Sequence, residues 1–322
     1  MLPLAAIFLL LAPTLLAQDC LTRKLPINIS NKDWQRVSGI PAENIQGTYR
    51  GKPISVLALK TDYSPKRRVL LLLDTSGSMS SGRDSRGRTY NASMPLVVNK
   101  TIALLPPETP LAVGHFGSKV ELWSYRDSER ARAIEAVKDI LAKQSKFEGR
   151  TPLFAALHAG VSLFGPIQPG DSIILFTDAS ENASKNVDQF AKEFERSGLR
   201  LFAFVYGLND EDRSTPEEIE GPRQLLDLIE RTGGFMISVP RTFAANAKEA
   251  DEAVTLVASA LVSRVLYSQE LTIQLPETGT KAEKLKLRFS GLDPKQAKQL
   301  RLEYPAVIQP CEASTSAAAA QP

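Results

Sequence analysis

Two hydrophobic rhythms divide the chain. Between residues 67 and 265, short apolar runs alternate with stretches in which apolar residues recur every three or four positions. Val69 to Leu73 and Ile173 to Phe176 have no polar side. Such runs predict strands covered on both faces, as central parallel strands must be. Leu201 to Tyr206 and Phe235 to Val239 extend the set. The intervening stripes are Ile134, Val137, Leu141, then Leu153, Ala156, Leu157, Val161, and then Val187, Phe190, Ala191, Phe194. Leu225, Leu228, Ile229 and finally Val254, Val257, Ala258, Leu261, Val265 continue the pattern. All have the helical period. Gly198 and Gly233-Gly234 stand where helices end, and Pro106-Pro107 closes a further helix near Met94 to Leu104. Gly117-Ser118-Lys119 joins Leu111–Phe116 to Val120–Trp123 and predicts a hairpin, with one antiparallel strand at the sheet edge. Strands and helices that alternate in this way predict an α/β fold, a doubly wound and mostly parallel sheet with helices on both faces.

Outside that region the period drops to two. Leu271, Ile273, Leu275, then Leu285, Leu287, Phe289, then Leu300, Leu302, Tyr304 read as half-buried strands. Near the N-terminus, Leu25 to Ile29, Ile45 to Tyr49 and Ile54 to Leu59 read as extended pieces, with a turn at Gly51-Lys52-Pro53. Neither flank is large enough for a good core of its own. The expectation is one small β unit, built from both flanks and bracketing the central domain. The boundaries read as 1–17 signal peptide, 18–66 N-terminal β segment, 67–264 central domain, 265–311 C-terminal β segment and 312–322 disordered tail.

Residues 1–17 form an apolar stretch that ends in Ala17, the pattern of a secretory signal peptide, although its start lacks Lys or Arg. Export to a secreted, periplasmic or extracellular location is expected, with an N-terminal membrane anchor as the alternative. No membrane span is expected in the mature chain. Gln18-Asp19 before Cys20 does not resemble a lipidation site. The chain holds two cysteines, Cys20 and Cys311, one at each outer edge of the folded region. In an oxidising compartment they are a disulfide candidate, and such a closure is worth about 5 kcal/mol before strain. Two unrelated thiols is the other reading. The composition, 43% hydrophobic and 23% charged, is that of an ordinary globular protein. A formal charge of +3 over 322 residues gives no argument for nucleic acid, and no zinc-finger or RNA-binding motif is present.

The chemistry gathers where the apolar runs stop. Val69 to Leu73 ends in Asp74-Thr75-Ser76-Gly77-Ser78. Asp-x-Ser-x-Ser puts three hard oxygens at the C-terminal edge of a central strand, where open α/β sheets bind ligands. Such oxygens suit Mg²⁺, Mn²⁺ or Ca²⁺. Thr151 stands in a loop just before an apolar helix, and Asp178 ends a second buried strand. Taken singly, each of these is also an ordinary turn or helix-capping residue.

Together and in this order, Asp74, Ser76, Ser78, Thr151 and Asp178 resemble the metal-ion-dependent adhesion site of the von Willebrand factor A domain family, over roughly residues 67–264. The overall layout is similar to bacterial secreted proteins in which one such domain is framed by short β segments. The resemblance implies that Ser76 and Ser78 contact the cation directly. Thr151 would do so in some states, and Asp74 and Asp178 would hold waters and hydroxyls. A carboxylate from a protein partner would complete the shell. The function so implied is an exported, divalent-cation-dependent binding module and not an enzyme. A metal-independent structural or assembly subunit is the alternative, and a metal-assisted hydrolase a weaker one.

Other features read as structural. Leu72-Leu73-Asp74-Thr75-Ser76 comes near the aspartic-protease stretch, but Ser76 replaces the required Gly and the alternating elements contradict that fold. No Gly-x-Ser-x-Gly elbow or P-loop is present. His115, His158, Trp34 and Trp123 are assigned to packing. Arg83, Arg86 and Arg88 read as a solvated loop, with an acidic partner beside the metal as the other account. Four formal glycosylation sequons, at Asn28, Asn91, Asn99 and Asn182, are read as chance matches.

Overall fold

The computed structural model describes residues 20–64, 66–82, 89–123, 130–143, 147–168, 170–208, 215–239 and 247–310. The signal-peptide segment, the arginines at 83, 86 and 88, Cys311 and the 312–322 tail lie outside the described residues.

The central sheet has six strands, in the order β10-β9-β8-β5-β6-β7. These are β5 (Val69–Asp74), β6 (Leu111–Phe116), β7 (Val120–Trp123), β8 (Ser172–Thr177), β9 (Arg200–Val205) and β10 (Phe235–Ser238). β7 alone runs antiparallel, and it sits at the edge, as the short Gly117-containing turn predicted. β5, β8 and β9 are buried at every position. Side-chain alternation sends Val69, Leu71 and Leu73 into one core layer, and Leu70 and Leu72 into the other. Helices α2 (Tyr90–Leu104), α3 (Arg130–Ala142) and α7 (Ala247–Leu266) contribute to the first layer. Helices α4 (Leu153–Leu163), α5 (Val187–Ser197) and α6 (Pro216–Arg231) contribute to the second. A one-turn helix, α1 (Gly77–Ser81), follows β5 after Thr75 and Ser76. This is the vWA-type α/β fold.

The flanks form two antiparallel sheets that share one core, not a single sheet. One has the order β13-β1-β11-β4 and the other β14-β12-β2-β3. The first contains β1 (Thr22–Asn31), β4 (Ser55–Tyr63), β11 (Tyr267–Gln274) and β13 (Leu300–Glu303). The second contains β2 (Ile45–Tyr49), β3 (Lys52–Pro53), β12 (Glu283–Phe289) and β14 (Val307–Ile308). Ile27, Ile29, Leu271 and Ile273 of the first face Ile45, Tyr49, Leu285 and Leu287 of the second across this core. A short helix, α8 (Pro294–Ala297), lies between β12 and β13. The turn expected at Gly51-Lys52-Pro53 falls one residue earlier. Tyr49 pairs with Lys52, so Arg50 (φ 54°) and Gly51 (φ 79°) form a two-residue hairpin turn with both φ positive.

The two parts meet at the end of α7, which runs into β11 without a loop. A helix leaves its last carbonyls without partners, at the negative end of its dipole. Here Arg200 Nη1 donates to Arg264 O (3.1 Å), Arg67 Nη1 to Val265 O (3.0 Å) and Ser64 N to Leu266 O (3.2 Å). Arg264 itself reaches outward. It pairs with Glu303 of β13 at 2.8 Å, donates to Trp34 O and lies 4.1 Å above the Phe235 ring. Trp34 packs against Phe235 and is covered on its other side by Arg301. It is a packing residue, as expected.

Arg200→Met leaves Gly233 O and Arg264 O without charged donors inside the protein. The expected cost is about 2–4 kcal/mol, read as a lower urea midpoint with unchanged m-value.

Candidate metal centre

β5 is the strand at which the chain reverses its direction across the sheet, with β6 on one side and β8 on the other. That is a topological switch point, and the crevice opens at the carboxyl ends of the strands. Asp74 is the last residue of β5, and Asp178 follows the last residue of β8. The two carboxylates are therefore delivered to one edge by register alone. Asp74 is fully buried and Asp178 is 3% exposed.

Each carboxylate is held by local donors. Asp74 Oδ1 accepts from Ser76 N (2.9 Å) and its Oδ2 from Thr177 Oγ1 (2.5 Å). Asp178 Oδ1 accepts from Ser180 N (3.0 Å). These contacts do not offset burial. Desolvation, and then the neighbouring charge of Asp178, push the Asp74 carboxyl up to about 8.

The hydroxyls complete the set. Ser76 Oγ and Ser78 Oγ lie 3.0 Å apart and share one hydrogen bond. Thr151 is 1% exposed, and its Oγ1 has no hydrogen-bond partner. A buried hydroxyl without a partner costs about 1–3 kcal/mol, so its position needs a reason. A hard cation is one, because the donor set is three hydroxyls and two carboxylates. Among the described residues no three His, Cys, Asp or Glu converge at any place, this centre included, so a cation here would depend on the hydroxyls. The residues present fit a divalent cation.

Three loops position Thr151. Gly77 N donates to Gly149 O (3.0 Å) and Glu148 N to Thr75 O (3.1 Å), tying the loop before α4 to the end of β5. Gly149 has φ +90°, and a Cβ there would fall 2.6 Å from Ser118 Oγ, so only glycine fits. From the other side, Asn182 Oδ1 accepts from Thr151 N (2.8 Å), and Asn182 N donates to Thr151 O (3.3 Å). Glu181 Oε2 accepts from Phe154 N (3.0 Å) and Ser184 Oγ from Ala155 N (3.0 Å), which caps α4 from outside the helix. Nothing in the sequence assigns Thr177, Glu181 or Ser184 to the site, and Asn182 stands out there only as a sequon. The signal available was polar density, since five of the seven residues from Asp178 to Ser184 carry polar side chains.

Beside the centre lies a cavity of about 440 Å³, whose walls include Thr75, His115, Trp123 and Phe147. Thr75 Oγ1 donates to Phe116 O (2.9 Å) and lies 3.1 Å from His115 Nδ1. Burial pushes the His115 pKa down, opposed by Glu121. His115 stacks on Trp123, which is 36% exposed and so only half packed.

A family model described as von Willebrand factor type A domain matches residues 69–181. That interval holds all five candidate ligands. No curated protein sequence matches the chain. Among solved structures it is similar to an aerotolerance-related membrane protein from Bacteroides fragilis NCTC 9343. The two share 16% identity with a TM-score of 0.45, over 62% of this chain and 98% of that one. It is also similar to BatB from Bacteroides thetaiotaomicron, with 16% identity and a TM-score of 0.43, over 60% of this chain and 98% of that one. A von Willebrand factor type A protein from Catenulispora acidiphila aligns over 89% of this chain and 73% of that one, with 12% identity and a TM-score of 0.45. At these values none of the three carries an argument about function.

The Asp74 shift has a measurable sign. An acid whose folded pKa is raised holds a proton that the unfolded chain has released. Its contribution is fully present below the unfolded value near 3.8 and is lost as pH rises through about 8. In EDTA, wild type should lose stability relative to Asp74→Asn between pH 5 and pH 8, by up to about 1.4 kcal/mol per pH unit. Paired urea titrations at the two pH values check this.

Proposed function

Given that this chain carries a von Willebrand factor type A domain, we propose that it is an exported binding module that captures protein partners through a divalent cation. The observation that carries this reading is the buried, unpartnered Thr151 hydroxyl, in a loop tied by hydrogen bonds to the segments that follow β5 and β8. Ser76, Ser78 and Thr151 would hold Mg²⁺, or Mn²⁺ or Ca²⁺, by their hydroxyl oxygens. Asp74 and Asp178 would supply the negative charge and fix the hydroxyls and waters around them. A bound cation supplies an open electrophilic position, and an Asp or Glu side chain of the partner is the group that fills it.

The module is read as non-enzymatic. Among the described residues, the carboxylates nearest the centre are occupied. Asp74, Asp178 and Glu181 each accept hydrogen bonds from the protein, and in this reading they orient the site rather than take protons. No helix among the described residues is long and apolar enough to cross a membrane. Export rests on residues 1–17. A Cys20–Cys311 disulfide belongs to the same proposal. Arg23 and Pro310 line one cavity, which supports that pairing.

A second reading, a metal-independent structural subunit, draws on the hydrogen bonds that already hold both carboxylates. Thr151→Val separates the two. The valine loses no hydrogen bond, so stability in EDTA should stay within about 0.5 kcal/mol of wild type or rise. A saturating cation at 100 times its dissociation constant should stabilise wild type by about 2.7 kcal/mol. That gain should vanish in Thr151→Val and in Asp74→Ala. Thermal unfolding in EDTA and in each metal provides the measurement. No gain in any metal would overturn the cation-dependent mechanism.

A further inference from the structure

The cavity of about 440 Å³ beside the metal centre is built from three elements and one strand end. The β6–β7 hairpin supplies His115, Glu121 and Trp123, and the end of α3 supplies Ala136, Asp139 and Ile140. The loop before α4 supplies Phe147 and Glu148. The last wall is Thr75, which stands between Asp74 and Ser76 in the chain. The cavity therefore begins one residue away from two of the candidate ligands.

The shared wall is firmly tied. Thr75 N donates to Phe116 O (2.7 Å) and Glu148 N to Thr75 O (3.1 Å). Ser118 Oγ donates to Glu148 O (3.3 Å), and Ser80 Oγ to Phe147 O (3.0 Å). A Cβ at Gly117 would fall 2.8 Å from Thr75 O and 3.0 Å from Glu148 O, so the hairpin turn presses directly on the strand end. Walls held in this way are formed before anything enters, which keeps the ordering cost of binding low.

The lining is apolar and aromatic where it is deepest. Ile140 and Phe147 are each 7% exposed. Trp123 stacks on His115 with ring centres 5.6 Å apart, yet over a third of its surface stays exposed. At pH 7 the imidazole is an uncharged ring, because burial lowers its pKa further. Among the described residues the charged part of the lining is mixed: Lys119 and Lys143 against Glu121, Asp139 and Glu148. Charges this nearly balanced select for neither an anion nor a cation, and either would meet like charge.

We infer that this cavity receives an aromatic side chain of the protein partner, close in sequence to the carboxylate that completes the metal shell. The inference rests on the binding-module reading above. A second ring can stack against the exposed part of Trp123, and the space is ample for a phenyl or indole group. Binding energy concentrates in such aromatic anchors seated in preformed pockets.

The test has two arms, both on the full chain labelled with ¹⁵N. Two tryptophans give two indole N–H signals, with Trp34 as the internal control. In EDTA, N-acetylphenylalanine amide should shift the Trp123 signal saturably and leave Trp34 in place, whereas N-acetylalanine amide should shift neither. The second arm uses blocked peptides in Mg²⁺, Mn²⁺ or Ca²⁺, with Asp and Phe in either order and up to two glycines between them. The best of these should bind roughly tenfold tighter than its counterpart with Ala for Phe. That ratio should fall to about one in Trp123→Leu and in Ala136→Phe, which fills the space from α3. No saturable Trp123 shift, or equal binding of the Phe and Ala peptides, would overturn the cavity assignment and leave the metal reading standing. N-acetylleucine amide or N-acetyllysine amide binding as tightly as the phenylalanine amide would overturn its aromatic part. A Trp123 shift in EDTA with no Asp-dependent binding in any metal would overturn the metal reading, and with it the link between the two sites.

Discussion

Two carboxylates held out of water at the ends of neighbouring strands govern the upper edge of the central domain. A strand covered on both faces admits no charge within it, so the charge falls where the strand stops. Asp74 and Asp178 stop β5 and β8, which are adjacent and in register, and neither can leave without breaking the sheet. The surroundings answer that burden with Thr177, Ser76 N and Ser180 N. They also answer it with hydroxyls too few and too neutral to cancel the charge. The loops carrying Gly149 and Asn182 are then fixed by the need to bring Thr151 to the same place.

The opposite end of the sheet inverts the problem. There the buried side chains are arginines, and helix-end carbonyls are among their partners. Arg200 and Arg67 satisfy the last turn of α7. The same arginines join the central domain to the β unit.

Much of this was legible in the sequence, for reasons of period. Val69 to Leu73 and Ile173 to Phe176 have no polar side, and only a strand between two helical layers needs that. The five ligand candidates stood out because each falls at the end of such a run or just before a helix. What the sequence did not display is long-range. The pairing of β1 with β11 follows from no local signal, nor does the division of the flanks into two sheets over one core. Glu181 and Ser184 cap a helix that precedes them in the chain, whereas a capping pattern is read from the residues that immediately precede the helix. The turn at Arg50-Gly51 was misplaced by one residue because arginine is an uncommon choice where φ is positive. The arginine cluster was invisible because Arg67, Arg200 and Arg264 are spread over almost two hundred residues.

The architecture also dictates an order of assembly. In β1, Ile27 sits opposite Gln269, and Ile29 sits opposite Leu302. The first strands of the chain thus wait for its last fifth before they find partners, while the central domain between them closes on contacts nearer in sequence. Until then β1 carries unpaired edges and apolar side chains, the condition that invites mispairing. A chain that emerges N-terminus first would therefore hold its most association-prone segment open the longest. Truncation ahead of β11 would leave that segment open for good.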